Sequence, residues 1–247
     1  MPPSKEPRKL SEAEFQRVFK EVRADINELQ NHDRVFSGVV ENLTRYPRLS
    51  YNFPAFFNAF YSAMRTDLII RLGRIYDPEG TGRESCTLAR CLRLLRDSPQ
   101  FFTDEAIESR LSEDYREANA VFLTWHRLDE AQIVKDLSQI EQSRERLIKL
   151  RHKLYAHKDV ETVLSGKRDG FLTSHDEVRE LIQLAHEVWN RYSQIWNAAT
   201  YSEKPLGGGD DYKWLFNYLR RGMKVKSLLD SQQLERMLKR HKRGKRS

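Results

Sequence analysis

From Val178 to Trp196 apolar side chains return every third or fourth residue: Val178, Leu181, Ile182, Ala185, Val188, Trp189, Tyr192, Ile195 and Trp196. That period is helical, and so dense a stripe has to be buried against other elements. The same spacing recurs elsewhere. Phe15, Val18, Phe19, Val22, Ile26 and Leu29 follow a capping box of Ser11 and Glu14. Phe56, Phe57, Phe60, Met64, Leu68, Leu72 and Ile75 follow Pro54, a stripe expected to lie in the core. Ile133, Leu137, Ile140, Leu147, Leu150 and Leu154 follow Asp129, and Tyr212, Leu215, Phe216 and Leu219 follow Asp210. A second capping box, Ser174 and Glu177, precedes the stripe that begins at Val178. Only 11 Gly and 8 Pro stand among the 247 residues, too few for the frequent turns of a β-sandwich. The fold class read from this pattern is all-α, a helical bundle of about five to six helices with a C-terminal helical basic extension.

Three segments depart from the pattern. Asn31–Tyr51 is less regular and is broken by Pro47. Thr103–Leu128 reads as helix but is polar over Glu108–Asn119, and Lys158–Leu172 reads as a loop with room for a short strand pair. The expected organisation is a disordered lead-in at 1–10, a bundle at 11–204, and a Gly-hinged basic extension and tail at 205–247. The run PLGGGDDYKW at that hinge lacks the Gly-Lys-Ser/Thr ending of a phosphate loop, and Asp210 and Asp211 would repel a phosphate there.

The formal net charge of +7 is unevenly spread. Arg220–Ser247 holds eleven basic and two acidic residues, +9, whereas residues 1–219 hold 32 basic against 34 acidic, −2. The bundle is therefore not a general polyanion binder. Two cysteines, Cys86 and Cys91, are too few for a disulfide framework and read as packed or partly exposed thiols in a reducing compartment. No stretch is long and apolar enough for a membrane span, and the first residues lack a signal core, so a cytoplasmic location is expected.

The segment richest in chemistry is Leu150-Arg151-His152-Lys153-Leu154-Tyr155-Ala156-His157-Lys158-Asp159, late in a helix. Arg151 can fork two hydrogen bonds onto one phosphate, and His157 can exchange a proton near neutral pH. Together they suffice for metal-free RNA cleavage, in which a ribose 2′-OH attacks its own phosphate. On an ideal helix the two point about 120° apart and differ by about 9 Å along the axis. A long arginine side chain, a frayed last turn or a second protomer has to close that gap. Lys153 and His157, four apart, share a face. The plain alternative is a cationic last turn that suits the helix dipole.

The segment RHKLYAH resembles the signature of the HEPN superfamily: arginine, a polar residue and, after a gap of four to six residues in total, histidine, late in a helix of an all-α bundle. Here the gap is the five residues HKLYA. RHKLYAHKD, with the earlier RLGRIYDPEG, is similar to the abortive-infection AbiU-like branch, over roughly Phe53 to Ala199. The resemblance implies an HEPN-like bundle, and either a metal-independent ribonuclease of toxin–antitoxin or phage-defence systems or a non-catalytic module that binds RNA or a partner. It maps Arg151 and His157 onto the catalytic pair and His152 onto the polar helper. It also implies a homodimer whose two motifs line one cleft, an RNA substrate and no cofactor. Lys153 and Asp159 are local additions from chemistry, and Asp77 is expected either to orient an imidazole or to cap a helix end.

Among the other histidines, His32, His126, His175 and His186 show no metal-binding spacing, and His175 reads as exposed. No metal site is expected. In the basic tail, Arg236, Lys239, Arg240, Lys242 and Arg243 are candidate RNA contacts that would act through salt-dependent counterion release. A docking segment for an antitoxin or another defence partner, and a solvated end, are the other readings of the tail. Membrane binding has no bulky aromatic in the last 20 residues to support it. A purely structural helical adaptor is the remaining class.

Overall fold

The computed structural model describes residues 10–77, 85–110, 128–155, 175–197 and 210–244, and of 152–155 and 237–244 the backbone only. Among the described residues every regular element is a helix: α1 (Glu12–Arg45), α2 (Pro47–Asn52), α3 (Pro54–Tyr76), α4 (Leu88–Arg96), a 3-10 turn (Pro99–Phe102), α5 (Asp104–Arg110), α6 (Glu130–Tyr155), α7 (His175–Asn197) and α8 (Asp211–Gly244). The all-α reading holds. The eight α-helices among the described residues exceed the expected five to six because short helices such as α2 and α5 sit between the long ones.

Local chemistry explains the ends. The Ser11 backbone N–H donates to Glu14 Oε2 at 2.9 Å and the Glu14 N–H donates to Ser11 Oγ at 3.3 Å, a complete capping box. Pro47 takes the first turn of α2, where its missing N–H costs nothing. The Thr87 hydroxyl accepts the Arg90 N–H at 3.2 Å and starts α4, and Asp129 Oδ1 accepts the Ala131 N–H at 2.9 Å before α6. The less regular stretch from Asn31 still forms helix as far as Arg45, and the expected break comes at Pro47, where α2 starts. Phe36 still falls seven residues after Leu29, but Val39 belongs to the core of unit 2, so the buried side shifts while the helix continues.

The chain divides into two compact units. Unit 1 comprises Met1–Asp33 and Arg65–Pro205. In its core Phe15 and Phe102 pack on Trp196 at ring-centroid distances of 4.7 and 5.4 Å, and Phe19 meets the Trp189 ring edge-on at 3.7 Å. The guanidinium of Arg110 lies 3.9 Å above the Trp196 ring and donates to the carbonyls of Trp196 and Phe101 and to Glu12. α4 packs on α6, and α5 on α7. All nine stripe residues of α7 are buried. On α6 the buried side is Ile133, Asp136, Ile140, Ser143, Leu147 and Leu150, so two polar residues occupy core positions. Asp136 is fully buried and fully used: it accepts from Tyr192 Oη at 2.7 Å, from Gln132 Nε2 at 2.8 Å and from Arg191.

Unit 2 comprises Arg34–Met64 and Leu206–Ser247. Val39, Leu49, Phe57 and Phe216 form its core, with Val35, Tyr212 and Leu219 against them. A Cβ on Gly38 would fall 2.1 Å from the Tyr212 ring, so α8 approaches α1 where no side chain intervenes. Two expectations fail here: Phe56 and Leu215 are exposed, although both fit the apolar period. The core of unit 2 is small and takes Phe57 and Phe216, the adjacent positions, instead.

Candidate functional site

Arg151 is placed by its neighbours on α6. Leu147 and Leu150 are buried and fix the rotation of the helix, which turns the next residue outward. α3 ends beside it. Tyr76 is buried, and its hydroxyl donates to the Leu181 carbonyl on α7 at 2.7 Å. Burial pushes the Tyr76 hydroxyl pKa upward, so it stays a neutral donor. The following residue, Asp77, closes α3 through its N–H to the Gly73 carbonyl at 2.7 Å.

Arg151 Nη1 donates to both carboxylate oxygens of Asp77, at 2.8 and 3.1 Å. The two side chains remain 43% and 41% exposed, so the pair is not sealed in the core. Asp77 thus closes a helix end, one of the two roles expected of it, and in addition holds a guanidinium. Nε and Nη2 of Arg151 form no hydrogen bond to any described residue. The pair lies against Gly73, where a Cβ would stand at contact distance, 3.4 Å from Arg151 Nη1 and 3.4 Å from Asp77 Oδ2.

The pair borders an open recess of about 470 Å³ whose walls include Asp25, Arg74, Ser85, Cys86 and Thr87. Burial raises the pKa of Asp25, with Glu28 and Glu21 adding to the shift and Arg74 opposing it. Asp25, Arg74 and Gly73 were not among the residues singled out from sequence. Gly73 carried a signal, being a glycine inside an otherwise apolar helix. Asp25 carried none, because its position depends on α1 lying beside α3.

The other candidate residues distribute as follows. His152 and Lys153 lie on the last described turn of α6, with only their backbone described, and His157 and Asp159 lie outside the described residues. The structure thus describes the side chains of Arg151 and Asp77 from this group. Arg236 is exposed on α8, and Lys239, Arg240, Lys242 and Arg243 lie on the same helix by their backbone. The helix continues to Gly244, so the basic segment has regular structure. The Lys158–Leu172 loop, the Ser174 cap, the 205–209 hinge and His126 lie outside the described residues.

His32 and His175 each meet an aspartate. His32 Nδ1 contacts Asp67 Oδ2 at 2.5 Å, and Arg71 Nε donates to the same oxygen at 2.8 Å. Burial alone would raise the Asp67 carboxyl, but these hydrogen bonds outweigh it and hold its pKa below the usual range. His175 is half-buried, with Nε2 3.1 Å from Asp33, which corrects its expected exposure. Among the described residues no group of three or more His, Cys, Asp or Glu is arranged to hold a metal ion. Cys86 is exposed and Cys91 buried, where burial raises its thiol pKa. No helix of the described residues is long and apolar enough to cross a membrane.

Searches of curated proteins and of solved structures each found no match. A family model described as HEPN_AbiU2, AbiU2, matches residues 12–215. That span runs from the first residue of α1 into α8 and takes in both the Gly73–Asp77 end of α3 and the Arg151 turn of α6. By this match over most of its length, the chain belongs to the HEPN_AbiU2 family.

Proposed function

We propose that this protein is a metal-independent endoribonuclease acting as a toxin or phage-defence effector. The observation that carries the reading is Arg151: half-exposed at a recess, anchored through Nη1 to Asp77, with Nε and Nη2 open among the described residues. An anchored guanidinium with an open edge can receive a phosphate in a bidentate grip.

In the proposed reaction a ribose 2′-oxygen loses its proton and bonds to the adjacent phosphorus. The bond from phosphorus to the 5′-oxygen breaks, and that oxygen takes a proton. The products are a 2′,3′-cyclic phosphate and a 5′-hydroxyl, with no oxidant or reductant needed. His157 is assigned the proton transfers, Arg151 the charge that develops on the phosphate oxygens, and His152 the role of polar helper. Lys153 and Asp159 are assigned auxiliary roles. Pairing of two chains, as a homodimer, would offset the helical angle between Arg151 and His157.

The test is cleavage of RNA with and without EDTA by wild type, Arg151→Ala and His157→Ala. Activity that survives EDTA and disappears in both variants supports the reading. Activity retained in both variants, or abolished by EDTA alone, overturns it.

The second reading is a non-catalytic module that binds RNA through α8. It is favoured by one observation: Lys224, Lys226 and Arg236 are all exposed on that helix. It predicts no cleavage of any RNA, binding that survives His157→Ala, and loss of binding when residues 236–247 are removed.

A further inference from the structure

Much of the outer face of α8 is apolar and exposed, with Arg221 within it and Leu228 at its margin beside a recess that Leu49 and Phe53 also line. Trp214 and Tyr218 are each 65% exposed, Val225 55%, Leu228 64% and Leu229 53%. Phe216, by contrast, is buried in the core of unit 2, so the helix already has its inward face. At about 100° per residue, Trp214, Tyr218, Val225 and Leu229 fall within about 60° of one another, with Leu228 at the edge. The steps of four, seven and three from Trp214 to Leu228 match a heptad seam, the pattern by which one helix packs along another. Contiguous exposed apolar area of this kind marks an interaction surface, and tryptophan and tyrosine are the side chains that most often anchor one.

Gly222 lies at the margin of the same face, between Tyr218 and Val225. A Cβ there would meet nothing within 4 Å. Glycine inside a helix costs about 1 kcal/mol relative to alanine, and nothing near it in this structure requires its small size. A second helix crossing at that point would, because two backbones approach closely only where a side chain is missing.

Charge selects the kind of helix. Arg221 lies within the seam and Lys224 flanks it, while Asp230, the one acidic residue from Tyr212 to Leu234, lies about 130° round the helix. A second copy laid on this face would set these cations against their own equivalents. RNA could stack on Trp214 and Tyr218, but it offers nothing to cover Val225, Leu228 and Leu229. We propose that the Trp214–Leu229 face of α8 is a docking surface for an acidic amphipathic helix of another protein. Its apolar side would cover the seam and its carboxylates would meet Arg221 and Lys224. The proposal is independent of the ribonuclease reading, since it requires neither Arg151 nor His157.

The probe is a synthetic helical peptide of three heptads with leucine at the seam positions and glutamate beside them. Docking would shift Trp214 emission to the blue and shield it from acrylamide, with Trp214→Phe identifying that signal. The wild-type chain is expected to respond at micromolar peptide. Leu228→Asp and Gly222→Leu, both at exposed positions, should each weaken binding about tenfold or more, and Arg221→Glu should do the same. Circular dichroism confirms that each variant is folded. The proposal is overturned if wild type gives no response at about 100 μM peptide. It is equally overturned if peptides with serine for leucine or lysine for glutamate bind as well. A single-stranded RNA or an anionic phosphatidylserine vesicle that shields Trp214 equally overturns it in favour of that ligand. Sedimentation showing a dimer that Leu228→Asp dissolves overturns it in favour of a second copy.

Discussion

Two aspartate–arginine pairs in unit 1 have similar chemistry and opposite surroundings, and Asp136 is the one whose loss the fold should feel. Its carboxylate is fully buried and accepts three hydrogen bonds, from Tyr192, Gln132 and Arg191. In Asp136→Asn the new amide would retain an oxygen for Tyr192 and Arg191, and the Gln132 amide can flip to meet its NH2. What it loses is charge assistance in about two bonds, roughly 1 kcal/mol each, so Asp136→Asn should cost about 2 kcal/mol. Asp136→Ala removes all three acceptor contacts, leaves the Tyr192 hydroxyl buried without its partner, and adds a small void. Arg191 is 40% exposed and can turn to water, which limits the damage. The expected cost is about 4 kcal/mol. Urea unfolding followed by the buried tryptophans of unit 1, Trp189 and Trp196, reads both values, and melting should fall by about 2–4 °C per kcal/mol. An alanine variant within about 1 kcal/mol of wild type would refute the reasoning. So would an asparagine variant as damaging as alanine, because the ranking rests on which acceptors survive.

Asp77→Asn tests the exposed pair: stability should change by less than about 1 kcal/mol, while the proposed RNA cleavage should fall about 10- to 100-fold as Arg151 loses its anchor, measured as melting temperature and initial rate on one preparation. Gly73→Ala should stabilise by about 0.5–1 kcal/mol in urea, because its Cβ meets Arg151 and Asp77 at ordinary contact distance and the helix gains alanine. Asp25→Asn tests the partly buried carboxyl: its raised pKa means the folded state holds the proton more tightly than the unfolded chain. That contribution is present below the unfolded value of 3.8 and lost as pH rises through the folded one. The variant should therefore melt higher than wild type at neutral pH and lose the advantage near pH 3, and an equal difference at both would contradict the burial argument. Ser11→Ala should cost about 1 kcal/mol by removing the capping box, read from the same urea curves.

Much of unit 1 was legible in the chain. Every stripe residue of α7 is buried and the Ser11–Glu14 box forms, and in unit 2 the break expected at Pro47 falls where α2 starts. These depend on periodicity and on contacts within four residues, which order along a chain records directly. The misses follow from the same physics. A period names a face, but it does not say how much core awaits that face, so Phe56 and Leu215 fit their stripes and stay exposed. A scan for apolar spacing also passes over a polar core residue such as Asp136, whose partners lie 55 and 56 residues away.

The candidate site divides along the same line. Sequence alone determined an all-α chain, a cationic turn late in a long helix, and a basic C-terminal segment set apart from a near-neutral remainder. It brought Arg151 and Asp77 forward as separate residues. Only the tertiary structure set Arg151 Nη1 on the Asp77 carboxylate, 74 positions away, against Gly73. Only it joined Arg34–Met64 to Leu206–Ser247 as one unit and left much of one apolar face of α8 exposed. Helical spacing is a local property of the backbone, whereas the meeting of distant side chains depends on which buried faces find each other, and that is decided by packing.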